Sequence, residues 1–329
     1  MRLLSRFVCC VSLLLPAAAA TADDDLARRI AANDGWVQWQ VPLAPDAGEP
    51  CCYEVRRGAA GRRGCDLDGR QWSVDDAVPA VTAGARELAV YAHVKAGQVD
   101  AIRALSASCP VSSAGAVTRL DGVDPAASVA WLAAETRRDR GRKDDDDGIA
   151  AIAFHAAPAA MAALREFAAA GGPRGRREAA LFWMGQARGI EGVEAVERVA
   201  HEDADAKIRN HAVFVLSQAE KLDTYPRVLA IAAGDRSGEV RGQALFWLAQ
   251  MEDARAAADI VAALRRETEA SVREQAVFAL TQLPDEQGDK ALIGLMRGDY
   301  PREVKQKALF WLGQSGSDTA LAFLDETLR

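Results

Sequence analysis

Five ten-residue blocks decide how this sequence is read: REAALFWMGQ (177–186), RNHAVFVLSQ (209–218), RGQALFWLAQ (241–250), REQAVFALTQ (273–282) and KQKALFWLGQ (305–314). Each opens with a cation and carries Ala at its fourth position, Phe at its sixth and Gln at its tenth. Phe182, Phe214, Phe246, Phe278 and Phe310 therefore stand 32 residues apart. So do Gln186, Gln218, Gln250, Gln282 and Gln314. Five blocks in register, without a net insertion, identify a repeat in a way that one short motif does not.

A second apolar ladder runs between the blocks at the same step: Leu164, Val196, Val228, Ile260, Leu292 and Leu324. Projected back once more, it falls on Leu132. A unit of this length holds two helices and two turns. The spacing predicts a helix A such as Ala254–Arg266, followed by a helix B from about Ser271 to Gln282. Neither can bury its apolar stripe alone, so the units must stack into an α-solenoid. The unit over 123–156 is degenerate, with Asp144 to Asp147 where later units have an Arg-led helix start. Aspartates suit a helix N-terminus, and no alternating oxygen-ligand loop follows to hold calcium. This unit is read as an atypical first repeat joining the solenoid to what precedes it.

The blocks resemble the HEAT-repeat family in its short bacterial form, also called lyase-type HEAT-like repeats. The pairs Ile208-Arg209, Val240-Arg241 and Val272-Arg273, the Ala three residues after each Arg, and the apolar run that follows carry the likeness. It covers roughly 123–329 and implies an α-solenoid of A/B helix pairs used mainly for protein–protein contacts, with a minority of enzymes and chromophore lyases among its relatives. The region around Cys51-Cys52 is similar to the leader domain of exported bacterial HEAT-repeat proteins, which implies a role in envelope signalling or assembly.

Outward from the repeats, residues 23–122 carry a different period. Asp23 to Ala32 reads as a short helix stopped near Asn33-Asp34-Gly35. Trp36 to Val41 alternates like a half-buried strand. Leu88–Val94 and Val99–Leu105 flank Lys95-Ala96-Gly97-Gln98 as a hairpin. The section Ala44–Gly69 is rich in Gly, Pro and charge and holds three cysteines. The expectation is a small antiparallel β-rich domain stapled by disulfides.

Residues 1–22 have the form of a secretory signal peptide: Arg2 and Arg6, an apolar run from Phe7 to Leu15, and an A-x-A pattern at Ala20-Thr21-Ala22. The run is too short for an ordinary bilayer span, and no later stretch is long and apolar enough, so no transmembrane segment is expected after cleavage. Export makes disulfides permissible. Of the remaining cysteines, Cys51, Cys52, Cys65 and Cys109, the adjacent pair does not readily bridge itself. One of the two is therefore expected to pair with Cys65 and the other with Cys109, either way round. Zinc-type ligand spacing is absent.

The whole chain has 329 residues, 50% hydrophobic and 26% charged, with a net charge of −7. That composition is globular, and its acidity argues against nucleic acid as a partner, which needs a basic face. On helix B, with Val240 set at zero and about 100° per residue, Ala244, Trp247 and Leu248 fall within about 80° and Leu245 at about 140°. They define the stripe facing helix A, so Trp183, Trp247 and Trp311 are read as core, alternating with Val215 and Ala279. Phe246 falls at about 240°, nearly opposite, with Gln243 and Gln250 beside it. Two accounts of the Phe/Gln ladder stay open: lateral packing between B helices, or an aromatic ridge on the concave surface that binds a partner. The Arg ladder is read as structural, held by loop carboxylates or carbonyls.

Catalytic motifs are missing. His93, His155, His201 and His211 are the histidines, and His201-Glu202 is the one His-Glu pair, where iron-binding HEAT-like hydroxylases need several. No nucleophile elbow, phosphate loop or zinc-protease helix is present. The expectation is an exported, periplasmic or extracellular, non-catalytic scaffold that needs no cofactor and holds a protein or peptide on the concave helix-B surface. The alternative is an enzyme-type HEAT-like protein, such as a lyase acting on a bound prosthetic group.

Overall fold

The structure is a computed structural model that describes residues 22–48, 50–51, 53–56, 59–62, 65–69, 86–138, 145–219, 222–284 and 286–328. The signal-peptide reading falls outside these residues except for Ala22, as do Cys52 and Asp144.

The N-terminal part holds α1 (Ala22–Ala31) and the strands β1 (Gly35–Pro42), β2 (Tyr53–Arg56), β3 (Ala59–Arg62), β4 (Cys65–Asp66), β5 (Glu87–Lys95), β6 (Gln98–Ser106), β7 (Val111–Ser112) and β8 (Thr118–Arg119). The main sheet has the order β6-β5-β1-β8. The hairpin β5–β6 turns at Ala96 and Gly97, both at positive φ (51° and 73°), a conformation that glycine adopts without strain. The expected all-antiparallel unit needs one correction: β8 pairs parallel to β1, and β4 parallel to β7. Each of these pairs is far apart in sequence, so the chain has the length to return in the same direction, which a tight hairpin does not allow.

β5 is buried on both faces because its side chains alternate between two clusters. Leu88, Val90, Ala92 and Val94 join the large core shared with the helices. Ala89 and Tyr91 join Trp36, Leu67, Leu105, Cys65 and Cys109 on the other face. There Cys51 and Cys109 form a disulfide with Cα atoms 5.6 Å apart. This is one of the two pairing schemes the sequence allowed. Cys65 is disulfide-bonded as well, and its sulfur lies 3.8 Å from that of Cys109.

From residue 125 the described chain is helical apart from its connections and an isolated β-bridge between His155 and Leu43: α2 (Pro125–Arg137), α3 (Asp145–Phe154), α4 (Ala159–Ala168), α5 (Arg174–Ala187), α6 (Gly189–Glu202), α7 (Ala206–Ser217), α8 (Tyr225–Gly234), α9 (Gly238–Gln250), α10 (Ala256–Arg266), α11 (Ala270–Leu280), α12 (Gln287–Arg297), α13 (Arg302–Ser315) and α14 (Asp318–Leu328). The pairs α2/α3 to α12/α13 are successive A/B units, and α14 is a further A helix. Helix ends follow local chemistry. Asp124 caps α2 by accepting from the Ala127 N–H, with Pro125 in the first turn. Asp205 caps α7 through Lys207 N–H. Gly316 ends α13 at φ 66°, the left-handed cap that suits glycine.

The ladder residues fill the space between the layers. Ala180, Ala212, Ala244, Ala276 and Ala308 are fully buried, as are Leu164, Val196, Val228, Ile260 and Leu292. Small residues set close approaches: a Cβ on Gly185 would fall 2.3 Å from Val215 Cγ1, so the missing side chain lets α5 and α7 meet. The B helices α5, α7, α9 and α11 pack on one another more extensively than the A helices do. The B layer is therefore the inner, concave one.

The first repeat welds the sheet to the solenoid. Trp39 of β1 meets Trp131 of α2 edge-on, with centroids 5.4 Å apart. Its indole N–H donates to Ser128 Oγ at 2.8 Å, and that hydroxyl donates to His155 Nε2 at 2.8 Å. The proton on His155 Nδ1 goes to the Ala151 carbonyl, 2.6 Å away. Ala44 N–H and Ala156 N–H complete the seam by donating to Phe154 O and Pro42 O. Asp145 to Asp147 open α3, and Asp147 pairs with Arg103 of β6.

Candidate binding face and its N-terminal cleft

Helix B is anchored at its start, which sets the rotation of everything after it. Arg177, Arg209 and Arg241 each reach a carboxylate 26 residues on, at the next A-to-B turn: Asp203, Asp235 and Glu267. Arg209 grips Asp235 with two bonds of 2.8 and 2.9 Å and donates to the carbonyls of Asp203 and Ala204. Both side chains of that pair are almost entirely buried, 2% and 4% exposed. The guanidiniums hold Asp235 and Glu267 below the usual carboxylate range, against the opposing effect of burial. Arg273 extends the series to Glu303, a more exposed partner.

With the helices so oriented, the periodic Phe residues lie on the inner face. They are neither free rings nor core. Phe182 stacks on Phe214 (centroids 6.5 Å, 10° between planes), and Phe246 on Phe278 (6.1 Å, 4°). The tryptophans require a correction: Trp183, Trp247 and Trp311 are half-buried beside the Phe row rather than in the core. Each sits against the Phe before it in its own helix, at 5.1–5.2 Å. Each also meets the aromatic of the preceding B helix, Phe154, Phe214 or Phe278. The buried Val215 and Ala279 occupy the alternate positions.

The result is one unbroken line of nine rings: Phe154, Trp183, Phe182, Phe214, Trp247, Phe246, Phe278, Trp311 and Phe310. Two of the eight contacts are parallel stacks and the other six are edge-on or tilted. Phe182, Phe214 and Phe246 are half-buried, while Phe278 and Phe310 are 37% and 55% exposed. Lateral packing and surface display thus coexist in the same side chains.

The Gln row follows alongside. Gln218, Gln250 and Gln314 are exposed, and Gln186 and Gln282 half-buried. Gln186 donates to the Gln218 carbonyl at 3.4 Å, and Gln282 to Thr281 Oγ1 at 2.9 Å. On the other flank His211 packs on Phe214 with centroids 5.7 Å apart and donates from Nε2 to the Glu178 carbonyl. Burial lowers its pKa.

At its N-terminal end the row runs into a cleft of about 870 Å³ between the β region and the solenoid. The loop Pro45–Gly48 forms one wall; Phe182, Gln186, Gln218 and Leu222 form the other, with Ile190 at the rim. Arg86 holds the loop by donating to the Pro45 and Ala47 carbonyls. Arg188 ties the beginning of α6 to the Ala153 and His155 carbonyls. Sequence reasoning missed this cleft, because its walls are brought together from residues more than a hundred positions apart.

Little in this arrangement is reactive. His155 is wholly buried, its two nitrogens taken, and burial lowers its pKa to about 4. His93 is paired with Asp100 on the hairpin. Among the described residues, the group of metal-ligand types that converges is Cys51, Cys65 and Cys109; these are disulfide-bonded, so they offer no thiolate. The face instead supplies aromatic rings bordered on one side by the Gln row.

Residues 225–313 match the family model for HEAT repeats. No curated protein matches the chain. Among solved structures it is similar to YibA of Escherichia coli, at 18% identity and a TM-score of 0.38, covering 64% of this chain and 82% of that one. It is also similar to human deoxyhypusine hydroxylase in complex with glycerol, at 15% identity and a TM-score of 0.31, covering 61% and 76%.

Proposed function

We propose that this chain, which belongs to the HEAT-repeat family, is an exported, non-catalytic scaffold that holds a protein or peptide partner on the concave B-helix face, in envelope signalling or assembly. The observation that carries the reading is the unbroken ring row, whose exposure rises to 55% at Phe310 while Gln side chains run beside it. Solvent-facing aromatics in a continuous line are what binding surfaces use as anchors. The binding residues proposed are Phe182, Phe214, Phe246, Phe278 and Phe310 with Gln186, Gln218, Gln250, Gln282 and Gln314. Export is supported by the form of residues 1–22 and by the Cys51–Cys109 disulfide, which belongs to oxidising compartments. Among the described residues no helix is long and apolar enough to cross a membrane.

The test is site-specific photocrosslinking in cells, with the reactive group at Gln250 on the inner face or at Ala230 on α8. A discrete adduct from Gln250 that disappears in the Phe246→Ala background supports the scaffold. Adducts from Ala230 alone would move the partner to the outer face.

The alternative, a lyase-type protein acting on a bound prosthetic group, draws on the cleft at Phe182, whose volume lies in the range of ligand sites. Absorbance and metal analysis of the exported protein separates the two: a stoichiometric chromophore or metal would replace the scaffold reading.

A further inference from the structure

We infer that the cysteine cluster of the β region is a thiol–disulfide exchange site whose substrate is a dithiol, and that it takes up two electrons by moving a disulfide from Cys51–Cys109 to Cys65–Cys109. The inference stands apart from the inner face and from whatever occupies it.

Its first ground is contact between two disulfides. Cys51 and Cys109 are bonded to each other, Cys65 is disulfide-bonded too, and the sulfurs of all three lie within 4.8 Å of one another. The Cys65 and Cys109 sulfurs, 3.8 Å apart, are in van der Waals contact. In the pairing scheme that contains Cys51–Cys109, the sequence assigns Cys52 to Cys65.

The second ground is unequal access. Cys65 and Cys109 are 3% and 6% exposed, while Cys51 is half-buried. Among the described cysteines, Cys51 is therefore the one open to an outside thiolate. The third ground is that Cys65 and Cys109 are held together without Cys51. Cys65 N–H donates to Pro110 O at 2.8 Å and Leu67 N–H to Ser112 O at 3.0 Å, within the parallel pairing of β4 and β7. These bonds remain when the link to Cys51 opens.

The exchange balances in three steps, each the attack of a thiolate on a disulfide sulfur. One sulfur of the dithiol bonds to Cys51 Sγ; the Cys51–Cys109 bond breaks and its electron pair leaves on Cys109. That thiolate is confined to the apolar cluster of Trp36, Leu67 and Leu105, where burial disfavours the charged form. It attacks the Cys65 sulfur beside it. The Cys65–Cys109 bond forms, the bond from Cys65 to its partner breaks, and the electron pair leaves on Cys52, which takes a proton. The second sulfur of the dithiol then attacks the first, closing the substrate's own disulfide and releasing Cys51, which takes the other proton. The dithiol has lost two electrons and two protons, and the chain carries both as thiols on Cys51 and Cys52. That adjacent pair does not readily bridge itself, so it stays reduced and can pass the electrons on to another disulfide.

The experiment treats the oxidised, full mature chain with one molar equivalent of dithiothreitol and quenches it with acidic N-ethylmaleimide. Trypsin digestion without further reduction places Cys51 and Cys52 together in 30–56, Cys65 in 64–70 and Cys109 in 104–119. The expected product links 64–70 to 104–119 and carries two alkyl groups on 30–56. It is expected in about tenfold excess over either product in which one original bond simply opens. In concentrated urea, which separates the sulfurs, that excess is expected to vanish. A main product with 30–56 still linked to 104–119 and Cys65 alkylated, or linked to 64–70 with Cys109 alkylated, overturns the assignment. So does a chain that does not react, or an excess that survives in urea.

Discussion

The rings of Phe246 and Phe278 lie 6.1 Å apart and within 4° of parallel, although 32 residues separate them in the chain. Each ring packs against the other and keeps part of its surface open to solvent, Phe278 being 37% exposed. A residue in that position contributes to stability and to the surface at once, so the two contributions have to be measured separately.

Phe246→Ala should cost about 2 kcal/mol, less than the roughly 3–5 kcal/mol of a fully buried Phe, because the ring is half-buried and its loss removes one stacked pair worth about 1 kcal/mol together with partial burial. Phe310→Ala should cost under about 1 kcal/mol, since that ring is more than half exposed. Urea unfolding followed by helix circular dichroism reads both. A loss above about 4 kcal/mol at Phe246 would place the ring in the core and end its candidacy as an anchor.

Arg209→Ala removes the cation from a buried pair and leaves Asp235 in the inter-repeat seam without its bidentate partner, held by the Ser237 N–H. The expected cost is about 3–5 kcal/mol. The double change Arg209→Met with Asp235→Leu should be milder, because it removes both charges. Arg273→Ala should be milder too, its partner Glu303 being 46% exposed. Equal losses at Arg209 and Arg273 would contradict the ranking by burial.

Acidification should loosen the seam between sheet and solenoid. Burial lowers the His155 pKa from 6.5 to about 4, so between those values the unfolded chain binds the proton and the native chain does not. The stabilisation is full above about pH 6.5 and is lost as pH falls toward 4, by up to about 3 kcal/mol. Melting temperatures from pH 7 to 4.5 should fall more steeply for the wild type than for His155→Gln. Parallel slopes would show that other groups govern the acid limb.

Reduction of the disulfide linking Cys51 and Cys109, 58 positions apart, should destabilise the β region by about 4 kcal/mol on the chain-entropy account. The repeats beyond α4 should keep their helicity. Hydrogen exchange with and without reductant locates the effect. Peptide mapping of the unreduced protein should link Cys51 to Cys109, with no thiol titrating on unfolding; a Cys51–Cys65 peptide would contradict the pairing.

Much of the helical architecture was legible because its cause is local and repeated. The Ala three positions after each block's leading cation and the apolar residues that follow it mark one helical stripe, and five copies in register leave no other way to bury it. The hairpin around Lys95–Gln98 was legible for the same reason: alternation on both sides of a turn. The tryptophans were misread because a helical wheel measures angle within one helix. Trp247 lies close to the stripe by angle, but its ring reaches sideways to Phe214 of the neighbouring helix, a contact the wheel does not contain.

The sequence by itself determined the period, the A/B pairing, the buried Ala and Leu/Val/Ile ladders, the strands of the main hairpin and the two permissible disulfide schemes. All of these follow from spacing along one chain and from the need to bury apolar stripes. Only the tertiary structure decided that Cys51 takes Cys109, that β8 runs parallel to β1, that Trp39, Ser128 and His155 form one buried relay, and that the Phe and Trp rings join in a single line ending at the Pro45–Gly48 loop. Each depends on the distance and relative rotation of elements remote in sequence. Those are set by how closely small residues such as Gly185 let helices approach and by where the Arg–carboxylate pairs hold them, quantities that periodicity does not encode.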